Sequence, residues 1–206
     1  MGQAVVETAL VLTLLVMIVA SIVEFGMMFN AYMALQDAAR NTARFSSDSI
    51  YTYRDNIHDC TWTRDFYRQT ACLVEMELAQ ARPLVTLTLT TTSTDDIILS
   101  VFSIAGAEMV VTPTVWARYP LEFGEAGWSY ALDREGVRHQ SSRISRAQIA
   151  QKLDFEAPST GFILVEIIGH YDHKLKLPWI TAFLPDPYTL YTYALMPLVS
   201  AEPDVD

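Results

Sequence analysis

Lysine is nearly absent: Lys152, Lys174 and Lys176 are the only three in 206 residues, and the 14 basic side chains face 24 acidic ones, a net charge of −10. Such a chain repels phosphate backbones and has no basic run to offset this, which argues against a nucleic-acid partner. Glycine and proline are scarce, at 8 and 9, too few for a collagen-like or low-complexity chain. With 51% hydrophobic residues, disorder throughout is excluded. The length supports one core, or one core plus an appendage. Catalytic signatures are missing too: there is no Gly-x-Ser-x-Gly, no Gly-rich phosphate loop, no His-Glu-x-x-His and no EF-hand loop. No catalytic residue, cofactor or metal is therefore assigned.

What is present is an uneven apolar excess. Sixteen uncharged residues, TALVLTLLVMIVASIV, separate Glu7 from Glu24, and FGMMFNAYMALQ then runs to Asp37 without another charge. The run has no small-residue cleavage exit and passes without a stop signal into MALQDAARNTARF, a sequence of helix formers. The spacing predicts one helix from Gln3 to Phe45, which at about 1.5 Å per residue is roughly 65 Å long. Arg40 and Arg44, on its C-terminal side, would put the bulk of the chain in the cytoplasm by the positive-inside rule, whereas the cysteines point to an oxidising compartment. Glu7 stands at the edge of the run, where an unpaired carboxylate costs on the order of 3 kcal/mol, which calls for a specific partner.

Met-Gly-Gln-Ala-Val-Val-Glu ahead of the run, then Ile22-Val23-Glu24-Phe25-Gly26 and Ala38-Ala39-Arg40-Asn41-Thr42-Ala43-Arg44, resembles the N-terminus of TadE-like pilins, a branch of the type IV pilin superfamily. The resemblance is close over residues 2 to 45. It extends more loosely to Tyr171, Leu177-Pro178, Phe183-Leu184-Pro185 and Glu202-Pro203, while residues 46 to 158 match nothing. It implies cleavage by a prepilin peptidase between Gly2 and Gln3, making Gln3 the first mature residue and Glu7 the fifth. Only Met1-Gly2 precedes the site, without the family's usual basic residues. The ammonium freed at Gln3 and the Glu7 carboxylate are each costly in an apolar setting and are natural partners, within one chain or between neighbours, where the pairing would set the axial offset. Alternatively, Glu7 caps the helix, favoured by the dipole. Glu24, the second embedded charge and second candidate for subunit assembly, is expected near a water interface before assembly and against a hydroxyl or backbone partner after it.

After Phe45 the composition becomes that of a water-soluble domain. Cys60 and Cys72, the only cysteines, read as a disulfide worth about 3 kcal/mol if unstrained. They supply only half a zinc set, with His58 a third ligand at most. Thr63 to Arg82 reads as a helix stopped by Pro83. Leu84 to Thr90 alternates apolar residues with Thr as a half-buried strand. Ile97 to Ile104, Met109 to Tyr119, the nearly continuous apolar Phe162 to Ile168 and Tyr188 to Leu198 read as further strands. Gly124 to Gly136 reads as loop, and Arg146 to Leu153 as a short helix capped by Ser145. In His170-Tyr171-Asp172-His173, strand alternation places Tyr171 and His173 on one side and His170 and Asp172 on the other, too few same-face ligands for a metal.

The expected fold is α+β: a long N-terminal helix whose second half packs on an antiparallel sheet. Residues 1–2 are a residual leader, 3–45 the hydrophobic helix and 46–206 an extracellular globular domain. The expected role is a structural pilin subunit, not an enzyme, major or minor. It would sit in the inner membrane as a precursor, be cut by a prepilin peptidase, and then pack with copies of itself or other pilins in a helical surface filament. The alternative is a single-pass membrane-anchored extracytoplasmic binding module.

Overall fold

The structure, a computed structural model, describes residues 2–48, 66–80, 94–105, 114–152 and 161–198. The expected strand over 84–90, Cys60, and the acidic tail after Ser200 lie outside these residues.

Helix α1 (Gly2–Ser47) is a single 46-residue helix. Its second half carries a buried stripe, Ala31, Leu35, Ala38, Ala39, Thr42, Ala43 and Ser46, at the three-and-four spacing that keeps side chains on one helix face. Four alanines in that stripe let the helix approach the sheet closely. Helix α2 (Phe66–Gln80) lies against it. The Ser46 and Thr70 hydroxyls meet at 3.0 Å, and Asn41 donates to Glu77 at 3.0 Å.

The sheet is antiparallel and has the order β2-β1-β4-β5, formed by β1 (Asp96–Ala105), β2 (Thr114–Tyr119), β4 (Gly161–Tyr171) and β5 (Tyr188–Leu198). The two-residue β3 (Trp128–Ser129) pairs with β1 opposite Ile98 and Leu99. The period-two alternation of a strand sorts the side chains. Ile97, Leu99, Val101, Ile163, Val165 and Ile167 pack with α1 and α2 in the main core. On the other face Phe102 and Leu164 pack with Ile144 and with Ile149 of α4 (Arg146–Lys152). Because β4 is covered on both faces, it reads as a continuous apolar run. The fold is therefore α+β, as expected.

The stretch expected as loop over 124–136 differs. A 3₁₀ turn (Leu121–Ala126) is followed by β3 and by α3 (Tyr130–Glu135), whose N-cap is Ser129, accepting from the Leu132 N–H, and which ends at Gly136 in the left-handed region. These elements are too short to show a period, and buried Asp96 fixes β3 and α3 by accepting hydrogen bonds from the Ser129 hydroxyl and the Ala131 and Gln140 N–H groups. Gly127, at φ +73, is required here because a Cβ would lie 2.7 Å from Ser100 Oγ and 2.8 Å from Ile98 Cγ2. Ser145 caps α4 as expected: its hydroxyl accepts from the Gln148 N–H while its own N–H donates to Gln148 Oε1, a reciprocal capping arrangement.

Candidate functional site

Residues 3–16 of α1 are exposed throughout, and no contact from the rest of the described chain covers them. Val5, Leu10, Val11, Leu12 and Ile22 are all more than half exposed, and the helix is long and apolar enough to cross a membrane. Its few polar side chains are dealt with locally. The Thr8, Thr13 and Ser21 hydroxyls each donate at 2.8 Å to the carbonyl one turn back, which leaves no hydroxyl needing water. Glu7 is the exception. It is exposed, and among the described residues no hydrogen bond or ion pair reaches its carboxylate.

Glu24 is treated in the opposite way. It is 2% exposed and held entirely from the C-terminal half of the chain. Its Oε1 accepts from the Tyr171 hydroxyl at 3.0 Å and the Lys174 N–H at 2.9 Å, its Oε2 accepts from the Leu175 N–H at 2.8 Å, and His173 Nδ1 lies 3.3 Å from Oε1. The other ring nitrogen of His173 faces the Pro185 carbonyl at 3.2 Å. The alternation at the end of β4 brings Tyr171 and His173 to Glu24 together. The turn after it offers two successive N–H groups, an arrangement suited to a carboxylate. Burial first, and then the neighbouring carboxylate, push the Tyr171 phenol above its ordinary value, so it remains a proton donor. One turn nearer the N-terminus, Trp179 Nε1 of α5 (Pro178–Thr181) donates to Ser21 Oγ at 3.2 Å. Glu24 thus has the hydroxyl and backbone partners its burial requires, and they come from its own chain.

The far face of the sheet holds a second buried polar network that the sequence did not announce. Arg118, 2% exposed, donates to Ser100 Oγ and to the Glu125 and Ile144 carbonyls, lies over the Phe102 ring, and is 3.9 Å from Glu166. Glu166 accepts from the Ser142 hydroxyl, the Arg143 N–H and the Tyr191 hydroxyl. Both carboxylate oxygens of Glu166 and the Arg118 guanidinium find their partners within the fold, so the network stabilises the domain. His170 and His173 do not converge. His170 is bonded to Asp95 and Thr189, His173 belongs to the Glu24 cluster, and no group of three metal-ligating side chains occurs among the described residues. Cys72 lies half-buried on α2, and its expected partner Cys60 is outside the described residues.

No curated protein and no solved structure matches the chain. The apolar half of α1 and the helix beyond it are where a likeness is found: the model of the TadE-like protein family, a pilus-related structural family, matches residues 2–44, and that match and the exposed apolar helix together fit a membrane-anchored protein related to the Tad pilus.

Proposed function

We propose that the chain is a structural pilin subunit that inserts in the inner membrane as a precursor and is then drawn into an extracellular filament, its N-terminal helix packed among those of neighbouring subunits. The observation that carries the reading is Glu7: a carboxylate set in an exposed apolar helix with no partner among the described residues. A permanent lipid anchor gains nothing from such a group, whereas a subunit whose helix start is cut free at Gln3 can pair it with a neighbour's ammonium. Leaving lipid requires equivalent burial against other helices, and a head-to-tail contact that does not close propagates as a filament. In this reading Glu24 serves assembly by holding the globular domain at a fixed height on the helix. The partners are copies of itself or other pilins, and a prepilin peptidase that cuts between Gly2 and Gln3. Mass spectrometry of sheared surface material tests the reading: the chain should be present and begin at Gln3 or its pyroglutamate. A full-length form starting at Met1, retained in the membrane pellet, would favour the anchored binding module.

A further inference from the structure

We propose that the segment from Lys174 to Phe183 is a membrane-docking loop, which rests on the anionic headgroup zone where α1 leaves the bilayer and so holds the globular domain against the membrane before assembly. The inference rests on the reading above that the apolar half of α1 occupies a bilayer. The uncharged run from Thr8 to Val23, 16 residues bounded by Glu7 and Glu24, is roughly 24 Å long at about 1.5 Å per residue and fills most of a hydrocarbon core of about 30 Å. The core therefore ends at the turn carrying Ser21 and Glu24. That turn is where the loop is fastened, by the Trp179 bond to Ser21 and by the Lys174 and Leu175 N–H bonds to Glu24.

The loop's composition suits that depth. Lys174 and Lys176, two of the three lysines in the chain, are both exposed. Leu175 is 42% exposed and Phe183, at 88%, is the most exposed large hydrophobic side chain among the described residues. Trp179 lies half-buried along the helix. Aromatic side chains at the interface, apolar ones just below it and lysines reaching up to phosphate are the arrangement a bilayer surface selects. The same residues in open water leave Phe183 unburied. Two exposed carboxylates flank the segment, Asp172 before it and Asp186 after it, the latter accepting the His173 N–H at 3.1 Å; between Lys174 and Phe183 there is no acidic residue.

The test places an environment-sensitive fluorophore on the full chain at Phe183→Cys and, separately, at Leu12→Cys, with the unsubstituted chain as background, in phosphatidylethanolamine–phosphatidylglycerol vesicles and in phosphatidylcholine vesicles. The Phe183 label should be blue-shifted and shielded from iodide in the anionic vesicles. Lys174→Glu with Lys176→Glu should return it most of the way to water, while the Leu12 label stays shielded throughout. A wet Phe183 label beside a shielded Leu12 label overturns the docking loop and leaves the anchor intact. Two wet labels overturn the anchor reading as well. Shielding at Phe183 that vanishes as the protein is diluted in lipid would assign the surface to a second copy, and would also overturn the proposal.

Discussion

Replacing Glu24 by Gln should release the turn after β4 from the helix. The carboxylate accepts three hydrogen bonds at 2.8 to 3.0 Å and faces His173 Nδ1 at 3.3 Å. A hydrogen bond to a charged group contributes about 1.5–3 kcal/mol. Gln keeps one acceptor oxygen but turns an NH₂ toward a group already placed to donate, so one good bond is lost and one buried donor is left facing another. Roughly 3 kcal/mol is the expected loss, taking one charged bond and the orphaned partner together. Hydrogen exchange reads this directly. In the wild-type chain in detergent the Lys174 and Leu175 amides, although their residues are exposed, should exchange slowly. In Glu24→Gln their protection should fall about 100-fold, at 1.4 kcal/mol per decade, while amides in the middle of β4 change little. Unprotected Lys174 and Leu175 amides in the wild type, or protection untouched by the substitution, would refute the reasoning.

Three further outcomes follow from the same physics. Gly127→Ala should lower domain stability by about 3 kcal/mol, since it forces a side chain into a positive-φ position against Ser100 and Ile98; a thermal midpoint within a degree of wild type would contradict the placement. Burial, outweighing its hydrogen bonds from Ser129, Ala131 and Gln140, raises the Asp96 carboxyl above its ordinary value. A raised acid contributes stability that is fully present below the ordinary value of about 3.9 and is lost as pH rises through the folded value, so the gap in unfolding free energy between wild type and Asp96→Asn should narrow from acid to neutral pH; a widening gap would reverse the sign. Cys60 and Cys72 should resist alkylation in the exported, undenatured protein, and replacing both by Ser should cost no more than about 3 kcal/mol; two readily alkylated thiols would show that they are separate.

The long helix and the central strands were legible because their signals are local. An unbroken apolar run followed by helix formers gives α1, and a continuous apolar run flanked by Gly161 gives β4. The 3₁₀ turn was too short to show a pattern, and β3 and α3 were not legible as elements because Asp96, more than thirty residues away, holds them rather than any pattern of their own. Arg118 and Glu166 each look like a surface charge in sequence. Only the pairing of β1 with β2 and β4 puts them in one buried network with Ser100. Glu24 was legible as a charge in need of a partner but not as to which, because its partners lie 147 to 151 residues along the chain. A partial signal existed in the alternation that sets Tyr171 and His173 on one side at the end of a strand.

The most direct measurement of the subunit's assembly is the fate of Glu7→Gln in cells that display the filament, followed in the membrane fraction and in sheared surface material. Removing a charge from an apolar helix should leave insertion unchanged or slightly improved, while the chain disappears from the sheared filaments. If Glu7→Gln enters filaments as well as wild type does, or if the wild-type chain, abundant in the membrane, never appears in the sheared material, the carboxylate has no role in recruitment and the helix is an anchor.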